Sequence, residues 1–147
     1  MSFFQGKIIL NFILDLFNRP TINWSNFELD SSIQLNDFVD LLLEPLKTSQ
    51  YTYRTRLGLH EALINAVKHG NKLDPKKSIR VRRIITPNWC VWQIQDQGNG
   101  LEIKKRIYKL PEKLSSLNGR GLYIINECFD DIRWSNKGNR LQLALKR

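Results

Sequence analysis

Cysteine is scarce. Cys90 and Cys128 are the only two in the chain, too few for a spaced disulfide framework and without a metal-ligand pattern. One falls in an expected strand and one on an apolar helix face, so both read as buried free thiols in a reducing cytosol. Membrane-spanning runs are missing too. KIILNFILDLF, at 7–17, is apolar but too short to cross a bilayer, and Asn11 and Asp15 interrupt it. Asn18-Arg19-Pro20 is a poor leader-cleavage site. Residues 1–20 are therefore expected to pack or to form an interface, with a membrane-surface segment as the alternative, and the protein is expected to be cytoplasmic. There is no internal repeat and no low-complexity tract. No glycine-rich turn follows a strand and opens a helix in βαβ order, which excludes a dinucleotide-binding unit of that kind. Acidic residues are outnumbered, 14 against 23 Lys and Arg, for a net charge of +9. That excess suits an anionic partner such as a nucleotide, a nucleic acid or an acidic protein face. On charge alone, solubility explains it as well.

What remains is ordinary globular composition, with 147 residues and 41% apolar content. That is enough for one domain, expected over 21–147. The stretch 21–29 (TINWSNFEL) reads as a strand with Ile22, Trp24 and Phe27 packing. Ser31 or Ser32 can cap a helix that carries Leu35, Phe38, Val39, Leu42 and Leu46 at three-and-four spacing. Pro45 should disturb its last turn. A further helix is expected from Thr52 to Lys68, with Gly70 as a left-handed stop. SIRVRRIIT (78–86) and WCVWQIQ (89–95) form strands around Pro87-Asn88. DQGNG (96–100) is a loop. Residues 101–118 are polar and basic, LYIINECF (122–129) is a short helix, and DIRWS and LQLALK are strands around a turn at 136–139. Helices first and hairpin-linked strands later predict an α+β (α/β) two-layer sandwich. Its sheet is expected to be mixed but mainly antiparallel, with helices on one face.

Three stretches could carry chemistry. In LHEALINAVKHGN (59–71), Leu59, Ala62, Leu63, Ala66 and Val67 form an apolar stripe. Glu61 and Asn65, one turn apart, project together from another face. An Asn oxygen suits a hard cation alongside waters and phosphates, and a Glu can take a proton from a hydroxyl. Lys68, one turn on, could reach a phosphate. A solvated helix face would also contain such residues. In DQGNG, Asp96 ends a strand, and Gly98 and Gly100 let a ligand approach the backbone. Its carboxylate can accept from an exocyclic amine, or the loop can be a plain turn. NGRGL (118–122) leads into a helix, whose free N–H groups and Arg120 form an anion site or merely a capped start.

In this order, Glu-x-x-x-Asn-Ala-x-x-His-Gly, Asp-x-Gly-x-Gly and Gly-Arg-Gly-Leu resemble the three nucleotide-binding boxes of the GHKL superfamily of ATP-binding domains. Asn-Ala-Val-Lys-His-Gly-Asn and Gly-Arg-Gly-Leu-Tyr-Ile-Ile look most like the anti-sigma-factor serine/threonine kinases. The resemblance covers about residues 28–147. It implies ATP and Mg²⁺ as cofactors, Glu61 as general base and Asn65 as the Mg²⁺ ligand. Asp96 would read the adenine amine, and Gly98 and Gly100 would shape the pocket wall. Gly119, Arg120, Gly121 and Leu122 would line the phosphates, with Lys68 touching them, and 101–118 would be a lid. Asn139 stands after Gly138, where the family often has Thr near the adenine. His69 reads as a structural histidine as readily as a functional one.

The implied activity is transfer of the ATP γ-phosphoryl group to a Ser or Thr of a small anti-anti-sigma-type protein, together with binding of a sigma factor. Members of that group commonly form dimers, and segment 1–20 could supply an interface. The alternative is a non-catalytic, nucleotide-dependent binding module. Direct nucleic-acid binding is disfavoured, because no zinc pattern or aromatic RNA-binding motif is present.

Overall fold

The computed structural model describes residues 24–31, 34–46, 50–106, 108–109 and 119–147. The apolar segment 1–20, Ile22, Ser32 and most of 107–118 lie outside them. Among the described residues, five strands make one sheet: β1 (Ser25–Asp30), β2 (Ser78–Ile85), β3 (Trp89–Gln95), β4 (Asp131–Trp134) and β5 (Arg140–Lys146). Their spatial order is β1-β2-β3-β5-β4, and every pairing is antiparallel. Among the described residues, the parallel pair that a mixed sheet would need does not occur. Three α-helices, α1 (Asn36–Leu43), α2 (Thr52–Asn65) and α3 (Gly121–Cys128), complete the α+β fold.

Alternation along the strands decides the faces. Ile79 and Val81 of β2, Cys90, Trp92 and Ile94 of β3, and Leu141, Leu143 and Leu145 of β5 point one way. There they join Val39 and Leu42 of α1, Leu59, Ala62 and Leu63 of α2, and Ile125 of α3 in one core. The opposite parity carries a second, smaller cluster of Ile84, Trp89, Val91 and Ala144, with Trp24 packed against it under Arg82. Phe27 instead packs edge-on against Phe38. Cys90 and Cys128 are both free and buried. Burial pushes the Cys90 thiol up to about 12, so it carries little thiolate at neutral pH. Among the described residues no helix is long and apolar enough to cross a membrane.

Pro45 ends α1 as expected, within a 3₁₀ turn at Glu44–Leu46. Proline has no N–H to offer the Leu41 carbonyl. Arg83 Nη1 supplies a donor there at 3.0 Å, and Trp92 Nε1 donates to the next carbonyl, of Leu42, at 3.3 Å. Of the two expected serine caps, Ser32 lies outside the described residues and Ser31 does not cap α1. α1 starts at Asn36 behind Leu35, with no side-chain cap. Ser31 lies well before it, and its hydroxyl accepts from Asn71 Nδ2 at 2.7 Å. The left-handed stop at Gly70 is also corrected. α2 gives way after Asn65 to a π-helical turn, Ala66–Gly70, closed by Asn71 N–H on the Ala66 carbonyl. The left-handed residues come later, at Lys72 and Leu73. A π turn swings the chain outward by one extra residue, which a Gly stop would not do.

Candidate functional site

The helix that starts at Gly121 runs back along α2. Gly58 of α2 faces Cys128 and Phe129, and Arg54 Nε donates to the Cys128 carbonyl at 3.2 Å. That antiparallel packing sets Gly121 beside the polar face of α2. A methyl group on Gly121 would lie 3.1 Å from Asn65 Nδ2 and 3.3 Å from both Asn65 Oδ1 and Glu61 Oε2. So the carboxylate, the amide and a glycine-rich helix start, 60 residues apart in the chain, meet at one point. Glu61 and Asn65 are half-buried, while Leu59, Ala62, Leu63, Ala66 and Val67 are buried beneath them. Arg120 immediately precedes α3, and Gly119 turns the chain into it with φ +86°. Leu122 packs partly against the core. Lys68 lies on the exposed side of the π turn, one turn past Asn65, and His69 is exposed beside it.

The second stretch closes on the π turn that follows α2, beyond Asn65. Asp96 follows β3 and is half-buried, and the Gly98 N–H donates to its Oδ1 at 2.7 Å. The π turn brings Gly70 directly against that carboxyl. A methyl group on Gly98 would collide with the Gly70 carbonyl oxygen. Gly98→Ala is therefore expected to destabilise the fold by about 1–3 kcal/mol, read as a lower urea midpoint. An unchanged midpoint would show that the loop can move away from Gly70. Gly100, at φ +90°, lies against the Lys137 carbonyl. Asn139 brackets Asp96: its carbonyl accepts the Asp96 N–H at 2.9 Å, and its Nδ2 reaches the Asp96 carbonyl at 3.4 Å.

Electrostatics at Asp96 are mixed. Burial raises its carboxyl above 3.8, against the opposing pull of the Gly98 N–H, Lys137 and Lys77. An acid whose folded-state affinity for protons is raised favours folding at low pH, and that contribution is lost as pH rises through the folded value. At neutral pH ionised Asp96 thus costs stability.

One positioning residue lay unassigned in LHEALINAVKHGN. Asn71 is fully buried. Its Nδ2 donates to Ser31 Oγ at 2.7 Å and to the Ser78 carbonyl at 2.9 Å, and its Oδ1 accepts from the Gln97 N–H at 2.7 Å. It ties the π turn, the start of β2 and the DQGNG loop together. Its only signal was an amide directly after His-Gly. A second tie holds the chain that follows the DQGNG loop. Arg106 stacks on Trp134 and donates to the Leu101 carbonyl, while Trp134 Nε1 donates to Tyr108 Oη at 2.8 Å.

The three stretches thus line one end of the sheet, at the α2–α3 contact and the β3 and β5 termini. Residues 38–145 match the model of the histidine kinase-like ATPase domain. The chain belongs to this family. Membership places it in the GHKL superfamily, whose domains bind ATP, usually with Mg²⁺. No curated protein matches the chain. The residues fit that ligand set. Gly121 leaves open the space beside Asn65 and Glu61 that a side chain would fill. Among the described residues, no cluster of three His, Cys, Asp or Glu could hold a metal by itself. A single Asn oxygen is what a cation needs when phosphates and waters complete its shell.

Proposed function

We propose that this histidine kinase-like ATPase domain is a serine/threonine protein kinase of the anti-sigma-factor type. One observation carries the reading: Glu61 and Asn65 converge on Gly121, so a carboxylate able to accept a proton and an amide able to ligate a cation would lie beside a glycine-rich helix start. Asn65 would hold Mg²⁺, which neutralises charge on the phosphates. Gly119, Arg120, Gly121 and Leu122, with Lys68, would line the phosphates. Asp96 would accept from the adenine amine, beside Gly98, Gly100 and Asn139. The acceptor hydroxyl oxygen bonds to the γ-phosphorus, and the bond from that phosphorus to the bridging oxygen breaks. Its electron pair leaves with ADP, and Glu61 takes the hydroxyl proton.

The acceptor on this reading is a small anti-anti-sigma-type protein, and the kinase also binds a sigma factor in the cytoplasm. A homodimer through residues 1–20 belongs to the same proposal, as does a lid at 101–118. The deciding test is calorimetric titration of ATP and of GTP, each with and without Mg²⁺, followed by transfer of labelled γ-phosphate to a candidate acceptor. Mg²⁺-dependent binding of ATP but not GTP supports the site. Binding without transfer would make the protein a nucleotide-dependent binding module instead.

Asp96→Asn offers a sharper check, because its two effects have opposite sign. Removing a partly desolvated charge should leave thermal stability at neutral pH unchanged or higher. ATP affinity should fall about tenfold or more, and GTP affinity much less. Acidification of the wild type should weaken ATP binding at a pH above that at which an exposed Asp titrates. Equal losses for both nucleotides, or lower stability in the variant, would remove Asp96 from adenine recognition.

A further inference from the structure

The outward face of α2 does not end at Glu61. Tyr53, Leu57 and Glu61 repeat at four-residue spacing, so they form one row along the helix. Tyr53 is 83% exposed and Leu57 42%. These side chains sit next to the proton acceptor instead of packing on the protein, and the row is about 12 Å long from Tyr53 to Glu61. Basic residues flank it. Arg54 and Lys68 are exposed, and Arg56 and His60 are half-buried, with Arg56 paired to Asp40 of α1. Arg54 Nε donates to the neutral Cys128 carbonyl, and among the described residues no carboxylate forms an ion pair with it.

We propose that the Tyr53–Leu57 row of α2 is the docking surface for the protein whose hydroxyl reaches Glu61, and that this protein presents apolar side chains ringed by carboxylates. The inference rests on the kinase reading, for a physical reason. An acceptor hydroxyl held at Glu61 belongs to a chain that must cross the surface around Glu61. On the inner side α3 is already packed against α2, through Gly58 and Gly121. The exposed row is the continuation of the Glu61 face away from that contact. Tyrosine and leucine there offer area that a protein can desolvate, and the flanking cations favour an acidic ring over a basic one. A second copy of this chain fits less well, because two such faces would bring Arg54 and Lys68 against their own kind.

The test uses two labelled helical peptides, each with one Ser and a Leu/Phe stripe at helical spacing. One carries Glu on its remaining positions and the other Lys. Binding is read by fluorescence anisotropy without nucleotide, on the full chain and on a Tyr53→Glu, Leu57→Glu double variant. Both substitutions are at exposed positions, and calorimetric ATP affinity and thermal melting check that the variant is intact. The acidic peptide should bind at least about tenfold tighter than the basic one, and the double variant should lose about tenfold or more of that affinity. Equal binding by variant and wild type, or by both peptides, overturns the proposal. So does a wild-type dimer that the double variant dissolves, which would give the face to a second copy. Failure of the kinase reading shows separately, as absent ATP binding or absent phosphotransfer.

Discussion

If the domain is the proposed kinase, Glu61→Gln is expected to leave ATP affinity unchanged and to lower phosphotransfer by about 10²–10⁴-fold. Glutamine keeps the shape of the side chain, so the packing of α2 against Gly121 is preserved and the phosphate end of the site stays formed. What disappears is the ability to take a proton as the hydroxyl attacks. Glu61 contributes mainly when that proton moves, so the loss falls on turnover and spares nucleotide binding. The measurement pairs calorimetric ATP titration with ADP production in the presence of acceptor protein. Undiminished ADP production would put the base elsewhere. A parallel loss of ATP affinity would mean that Glu61 holds the nucleotide and has no part in proton transfer.

Asn71→Ala should destabilise the protein by about 2–4 kcal/mol, the cost of leaving buried polar groups without partners. The substitution removes two donated bonds and one accepted bond at a position with no solvent access. The Ser78 carbonyl and the Gln97 N–H lose partners at once, and part of that cost is recovered where water reaches them. Chemical denaturation reads the loss as a lower urea midpoint. ATP affinity should fall as well, because Gln97 adjoins Asp96 and the loop is no longer pinned. Asn71→Asp separates the roles: it keeps an acceptor for Gln97 but cannot donate to Ser31 or Ser78. A loss below about 1 kcal/mol for Asn71→Ala would show that the loop is held by other contacts.

Legibility differed from element to element. β3 runs over the expected residues 89–95, because Pro87-Asn88 marks one end and Asp96 the other. The stripe of α2 is buried as its spacing predicts. The left-handed stop at Gly70 failed for a tertiary reason. Gly70 is small because Asp96 and Gly98 press against it, and nothing local to His-Gly-Asn reveals that. The Ser31 cap failed similarly, since that serine serves Asn71, forty residues away, instead of α1.

The sequence by itself determined the α+β class and singled out Glu61, Asn65 and Asp96 as candidates for the site. Those follow from periodicity, turn residues and side-chain type, which are local properties. Only the tertiary structure decided that all pairings among the described strands are antiparallel, that a π turn follows α2 and that Gly121 meets Glu61 and Asn65. It also decided that buried Asn71 holds the Asp96 loop in place. These depend on contacts between segments far apart in the chain, where the space available and the partner of each buried polar group are set by the fold as a whole.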